Sequence, residues 1–168
     1  MFTSKLMQIT FVHSPIVEYG QNYGTLFSPM WAYTLAAYVP SDWTIEITDC
    51  IFQDPKSIGE ADVFAFSGIN QDIDAIRKTY NVIRQIHPEA IYILGGPITW
   101  SMEQEGKLQS LEFFDHVFIL DGEQTLPDFL NTVSEGRAGS ADKIIRANRF
   151  AMDQALPLRF DLYRERAG

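Results

Sequence analysis

Cysteine is almost absent. The single Cys50 among 168 residues excludes an internal disulfide and cannot supply the three thiolates that an iron-sulfur cluster demands. Long hydrophobic runs are missing as well. No stretch approaches the roughly 18 apolar residues that span a bilayer, and residues 1–10 lack the charged, apolar and small-residue succession of a signal peptide. The expectation is a cytoplasmic chain with no membrane partner. Positive charge is scarce: 13 Lys and Arg stand against 22 Asp and Glu, a formal charge of −9, which argues against an electrostatic footprint for nucleic acid. A glycine-rich turn after the first apolar run, the mark of a dinucleotide fold, is also absent.

What is present is enough apolar material for one core, 46% of the residues. The charge divides unevenly: residues 1–136 carry 6 basic and 18 acidic side chains, a net of −12, whereas residues 137–168 carry 7 and 4, a net of +3. Residues 1–136 are therefore expected to form an α/β domain and residues 137–168 an extended tail. That tail reads as a basic linker, or as a segment docked on an acidic face.

Short apolar runs at residues 7–12 (MQITFV), 61–66 (ADVFAF), 91–94 (IYIL) and 116–120 (HVFIL) read as buried strands. Residues 43–50 alternate, with Trp43, Ile45 and Ile47 on one face, as in a half-exposed strand near a sheet edge. Between them lie helical stripes. Ser28-Pro29 reads as an N-cap with proline at the first helical position, ahead of Trp31, Ala32, Leu35, Ala36 and Val39. Asn70 reads as the cap of a helix striped by Ile73, Ile76, Tyr80, Ile83 and Ile86, and a short helix is expected over residues 102–111. Leu126, Phe129, Leu130 and Val133 mark the last helix, which Gly136 stops. Residues 51–60 carry too few periodic apolar positions to predict a helix. The alternation points to a flavodoxin-like (Rossmann-like), doubly wound five-stranded parallel sheet of order 2-1-3-4-5.

Such sheets bind ligands outside the carboxyl ends of their strands, where the strand order reverses. The candidate rim is then His13, Ser14 and Pro15 after the first strand, and Ser67, Gly68, Ile69 and Asn70 after the third. Gly95, Gly96 and Pro97 follow the fourth, and Asp121, Gly122 and Glu123 the fifth. Glycine at three of these termini lets a ligand approach the backbone. Residues 16–27, with Tyr19, Tyr23 and Phe27, form a loop long enough to suggest a functional role. Paired acids after the first strand and an aspartate after the third would mark a phosphorylated receiver, but those positions hold His13-Ser14 and Ser67-Gly68. Asp115, Asp121 and Glu123 have no spaced histidine to join them as a metal site. His13 is the histidine placed for a ligand or proton-transfer role; His87 and His116 read as structural.

Five segments in order carry a resemblance: residues 28–38 (SPMWAYTLAAY), 44–49 (TIEITD), 62–68 (DVFAFSG), 93–97 (ILGGP) and 118–126 (FILDGEQTL). Together they resemble the cobalamin-binding N-terminal domain of the B12-dependent radical S-adenosylmethionine (SAM) enzymes, over about residues 7–136. The segment LPLRFDL (residues 156–162) looks like the stretch that leads such domains into their catalytic barrel. The resemblance implies that cobalamin lies over the carboxyl ends of the strands, with Ser67, Gly68, Ile69 and Asn70 beneath or beside the corrin. Gly95, Gly96 and Pro97 would line the pocket for its nucleotide tail, with Asp121, Gly122 and Glu123 at the neighbouring wall and His13 and Ser14 at the rim. SAM and a 4Fe-4S cluster would belong to a C-terminal radical SAM domain outside this chain. Radical methylation, or oxidative cyclisation of a tetrapyrrole, is the activity implied for the whole enzyme.

The mutase type of cobalamin domain carries Asp-x-His-x-x-Gly, which surrounds none of His13, His87 and His116. The resemblance therefore implies a base-off cofactor without an axial histidine. Where relatives show asparagine and prolines after the first strand, and Gly-Glu-Gly-Glu after the fifth, this chain has His13-Ser14-Pro15 and Leu120-Asp121-Gly122-Glu123. A scaffold of the same fold without the cofactor, a stand-alone cobalamin carrier and a flavin in the same crevice are the alternatives. Gly96→Val is expected to obstruct the tail pocket and leave the fold intact.

Overall fold

The computed structural model describes residues 6–16 and 29–163. Residues 17–27 of the loop expected at 16–27, and the Ser28 cap, lie outside them. Six strands form one parallel sheet: β1 (Met7–His13), β2 (Trp43–Asp49), β3 (Val63–Ser67), β4 (Ile91–Gly95), β5 (His116–Ile119) and β6 (Ile144–Arg146). Their order is β2-β1-β3-β4-β5-β6. The helices are α1 (Met30–Ala36), α2 (Ile73–Ile86), α3 (Pro97–Gln104) and α4 (Gly122–Ser134). This is a Rossmann-like α/β arrangement.

The all-apolar strands are central because both of their faces are covered. Val12, Phe66 and Leu94 look toward α2 and α3, where Ile76, Tyr80, Ile83 and Ile98 meet them. Phe11, Ala65, Ile93 and Phe118 look the other way, toward Ala32 and Ala36 of α1 and Leu126, Phe129 and Leu130 of α4. The alternating β2 lies at the sheet edge, as its pattern predicts. Between β2 and β3 there is a single 3-10 turn at Pro55–Ser57, capped where Lys56 N–H donates to Asp54 Oδ1 at 2.9 Å.

Three expectations are corrected. The sheet has six strands, not five: in the tail, Ile144 and Ile145 pair with Val117 and Phe118. Helix α3 starts at Pro97, directly after Gly96, and ends at Gln104; only a 3-10 turn at Leu108–Leu111 follows. Proline suits the first helical turn because its missing N–H has no intrahelical partner there. Third, Asn70 does not cap α2. It opens a 3-10 turn, and Asp72 reaches back to accept the Ile69 N–H at 2.9 Å and that of Ile16 at 2.9 Å.

Beyond β6 the tail crosses the α1–α4 face. Leu156 N–H donates to the Tyr38 hydroxyl at 2.9 Å and Arg159 N–H to the Tyr33 carbonyl at 3.1 Å. The rings of Phe160 and Tyr163 approach Tyr33 at centroid distances of 6.0 and 6.4 Å. Of the described tail cations, Arg146 pairs with Glu103 of the main domain and Arg137 only with its near neighbour Glu135, while Arg159 pairs within the tail, with Asp161. Docking therefore rests on backbone hydrogen bonds and aromatic packing more than on the charge contrast. Among the described residues, no helix is long and apolar enough to cross a membrane.

The α2–α3 face holds a dense aromatic cluster in which fully buried Phe114 meets Phe66, Tyr80 and Phe113 at 4.7–5.3 Å. Removing its ring leaves a cavity the neighbours fill only partly. Phe114→Ala is expected to destabilise the fold by about 3–5 kcal/mol, read as a lower urea midpoint at unchanged slope.

Candidate functional site

Strand order reverses at β1, whose two neighbours β2 and β3 lead in opposite directions across the sheet. At the carboxyl ends of the strands there, a crevice of about 220 Å³ opens on the α1–α4 face. Strand geometry explains its shape. Side chains alternate, so Phe11 of β1, Ala65 and Ser67 of β3, Ile93 and Gly95 of β4 and Phe118 of β5 share this face. Trp31, Thr34 and Leu35 of α1 form one wall, and Gly122, Glu123 and Leu126 of α4 the other. The opening exists because Ala65 and Gly95 are small where neighbouring positions are bulky. A Cβ built on Gly95 would meet only Phe118, its Cβ at 3.6 Å and its carbonyl oxygen at 4.0 Å, both ordinary contacts, on the crevice side of the sheet.

Seven of the twelve sequence candidates line this space: Ser67, Gly95, Gly96, Pro97, Asp121, Gly122 and Glu123. Five do not. His13 ends β1 beside it, and its Nδ1 accepts from Trp31 Nε1–H at 3.5 Å. Ser14 turns to the opposite face, where its hydroxyl is 2.7 Å from the Thr79 hydroxyl and donates to the Ala75 carbonyl at 3.2 Å. Gly68 packs under α2, since a Cβ there would come within 2.9 Å of Asp72 and Ile76 atoms. Ile69 is half exposed. Asn70 uses its side-chain amide to bind Ser101 Oγ at 2.7 Å and Glu105 Oε1 at 3.2 Å, joining the start of α2 to α3. The residues that sequence reasoning missed are the apolar floor and wall, Phe11, Trp31, Leu35, Ala65 and Phe118. Their strand or helix phase was readable, but an apolar residue in phase looks the same whether it packs or lines a cavity.

Ser67 is 8% exposed, and its hydroxyl has no hydrogen-bond partner among the described residues while facing the crevice. That hydroxyl is open to the crevice, where water or a ligand atom would take the unmade bond. Asp121 and Glu123 put carboxylates at the mouth. Asp121 Oδ2 accepts from Phe150 N–H at 2.6 Å, so the tail touches the rim.

Asp115 lies at one end of β5, and Asp121 and Glu123 lie at the other. Asp115 precedes the strand, where it pairs with Arg84 at 3.1 Å and accepts Tyr92 N–H at 2.8 Å, while Asp121 follows it. Nor do the other two histidines face the crevice: His87 binds the Ile58 carbonyl at 3.0 Å and His116 the Asp142 carbonyl at 2.8 Å. Burial, reinforced by the charge of Asp49, pushes the Cys50 thiol up to about 12. It stays protonated and unreactive near neutrality. Ellman's reagent at pH 8 is expected to modify Cys50 slowly in the folded chain and rapidly in urea.

Compared with protein-family models and with curated proteins, the chain gives no match.

The glycine pair separates fold from site. Gly96 has φ +85°, and a Cβ there would come within 2.1 Å of Ser67 Oγ, so Gly96→Val disturbs the fold rather than leaving it intact as the sequence suggests. Gly96→Ala is expected to cost about 1–3 kcal/mol, whereas Gly95→Leu stays within about 1 kcal/mol of the parent and fills the crevice. Thermal denaturation of the two variants measures the difference.

Proposed function

We propose that the chain is a cobalamin-binding module of flavodoxin-like fold. It takes the nucleotide base of the cofactor into the crevice and holds the cofactor base-off, facing a radical SAM catalytic domain carried outside residues 1–168. The observation that supports this most is the crevice itself: an apolar slot at the order reversal, opened by Ala65 and Gly95 and edged by the unpartnered Ser67 hydroxyl. About 220 Å³ is below the roughly 300–1,000 Å³ of a whole-ligand pocket. It suits one flat heteroaromatic group anchored at a single polar atom.

The residues then divide the work. Phe11, Trp31, Leu35 and Phe118 exclude water from the base, Gly95 leaves room for its edge, and Ser67 orients it by one hydrogen bond. Gly96 supplies the positive φ that the turn after β4 adopts at the edge of the crevice. Bound cobalamin would supply the alkyl-transfer chemistry that no side chain here can provide. The chain contributes positioning, and the activity implied for the larger enzyme is methyl transfer or a related radical reaction on a substrate chosen by the catalytic domain.

After incubation with hydroxocobalamin and desalting by gel filtration, the wild type is expected to retain the corrin absorbance. Gly95→Leu is expected to lose affinity at least about tenfold, or roughly 1.4 kcal/mol, with unchanged circular dichroism. A colourless wild-type fraction contradicts the proposal and favours a cofactor-free scaffold.

A further inference from the structure

The crevice has an outer neighbour. Gly96, Pro97, Leu120 and Asp121 form its lip, and the same four residues wall a second cavity of about 290 Å³ that Trp100 of α3 and Arg149 of the tail complete. Leu120 turns this lip at φ +72°, the one non-glycine residue with positive φ among the described residues. Such a conformation is disfavoured for leucine and persists only where the surroundings impose it.

Arg149 is held in place from both sides. Ala147 N–H donates to the Ile119 carbonyl at 3.0 Å, and Phe150 N–H to Asp121 Oδ2 at 2.6 Å. The Phe150 ring meets Tyr38 edge-on at 5.7 Å. With its backbone fixed, its guanidinium nonetheless makes no hydrogen bond or ion pair among the described residues. Every other described arginine, at positions 77, 84, 137, 146 and 159, has at least one partner. Half-exposed Trp100 stands across the same cavity.

Charge indicates what this corner receives. Without Arg149 the rim offers only the carboxylates of Asp121 and Glu123, which repel an anionic ligand group. Arginine offsets them and matches phosphate oxygens with two parallel N–H donors. We propose that Arg149 and Trp100 form an outer subsite for a phosphodiester attached to the base in the inner crevice, so that the tail is part of the binding site. This rests on the cobalamin reading, whose nucleotide loop carries such a phosphodiester next to its base.

The test compares wild type with Arg149→Met, which keeps the apolar stem, by titrating cobalamin and cobinamide, a corrinoid that lacks the base and its phosphodiester. The variant is expected to bind cobalamin about tenfold more weakly and cobinamide equally well. The cobalamin difference should shrink as NaCl rises. Equal cobalamin affinity in both proteins overturns the subsite and leaves the cobalamin reading standing. Equal losses for both corrinoids also overturn it, since Arg149 would then touch the corrin edge. A wild type that binds neither corrinoid overturns this proposal and the reading beneath it together.

Discussion

The approach of the β3 end to the β4 turn is the constraint on which the carboxyl rim depends. Ser67 and Gly95 are register partners in adjacent strands, and Gly96 follows with a backbone that leaves its neighbour's hydroxyl no room for a Cβ. Any L side chain at Gly96 forces the strands apart or moves Ser67. The absence of a Cβ at Gly95 has a different consequence, because that side chain would enter empty space. One glycine closes the rim and the other opens the slot.

The two faces of the sheet are packed to different ends. Against α2 and α3, aromatic rings of Phe64, Phe66, Tyr80, Tyr92 and Phe114 interlock, and the carbonyl of Phe113 takes the Tyr80 hydroxyl at 2.7 Å. That face is sealed. Against α1 and α4 the packing opens at the carboxyl rim, where the seven-residue α1 begins. Stability and binding space are thus assigned to opposite sides, and substitutions in the crevice leave the aromatic cluster intact. The tail then crosses the open side, adding β6 to the sheet and contacting Asp121, Tyr38 and Tyr33.

Much of this was legible because strand periodicity and helix stops are local. The apolar β3 and β4, the alternating edge strand β2 and the stripe of Leu126, Phe129, Leu130 and Val133 all behave as their patterns predict. What stayed hidden depends on long-range partners. Strand β6 has three residues, of which Ile144 stays exposed and Ile145 half-buried, too little to show a period. The capping role passed from Asn70 to Asp72 because Asn70 found Ser101 on α3, thirty-one positions away in the chain. Ser14 looked like a rim residue, and only the packing of α2 shows that Thr79 claims it. The glycine-bearing turns after β4 and β5 do line the crevice, but its apolar lining stayed hidden, since Phe11 and Phe118 carry no motif.

The central claim is that the base of the cofactor leaves cobalt for the crevice and that no histidine replaces it. Electron paramagnetic resonance of cob(II)alamin bound to the chain tests this directly, because an axial nitrogen splits each cobalt hyperfine line into three. The account predicts a base-off spectrum without nitrogen splitting in the bound state. Persistent nitrogen splitting, from the retained base or from His13, would contradict it.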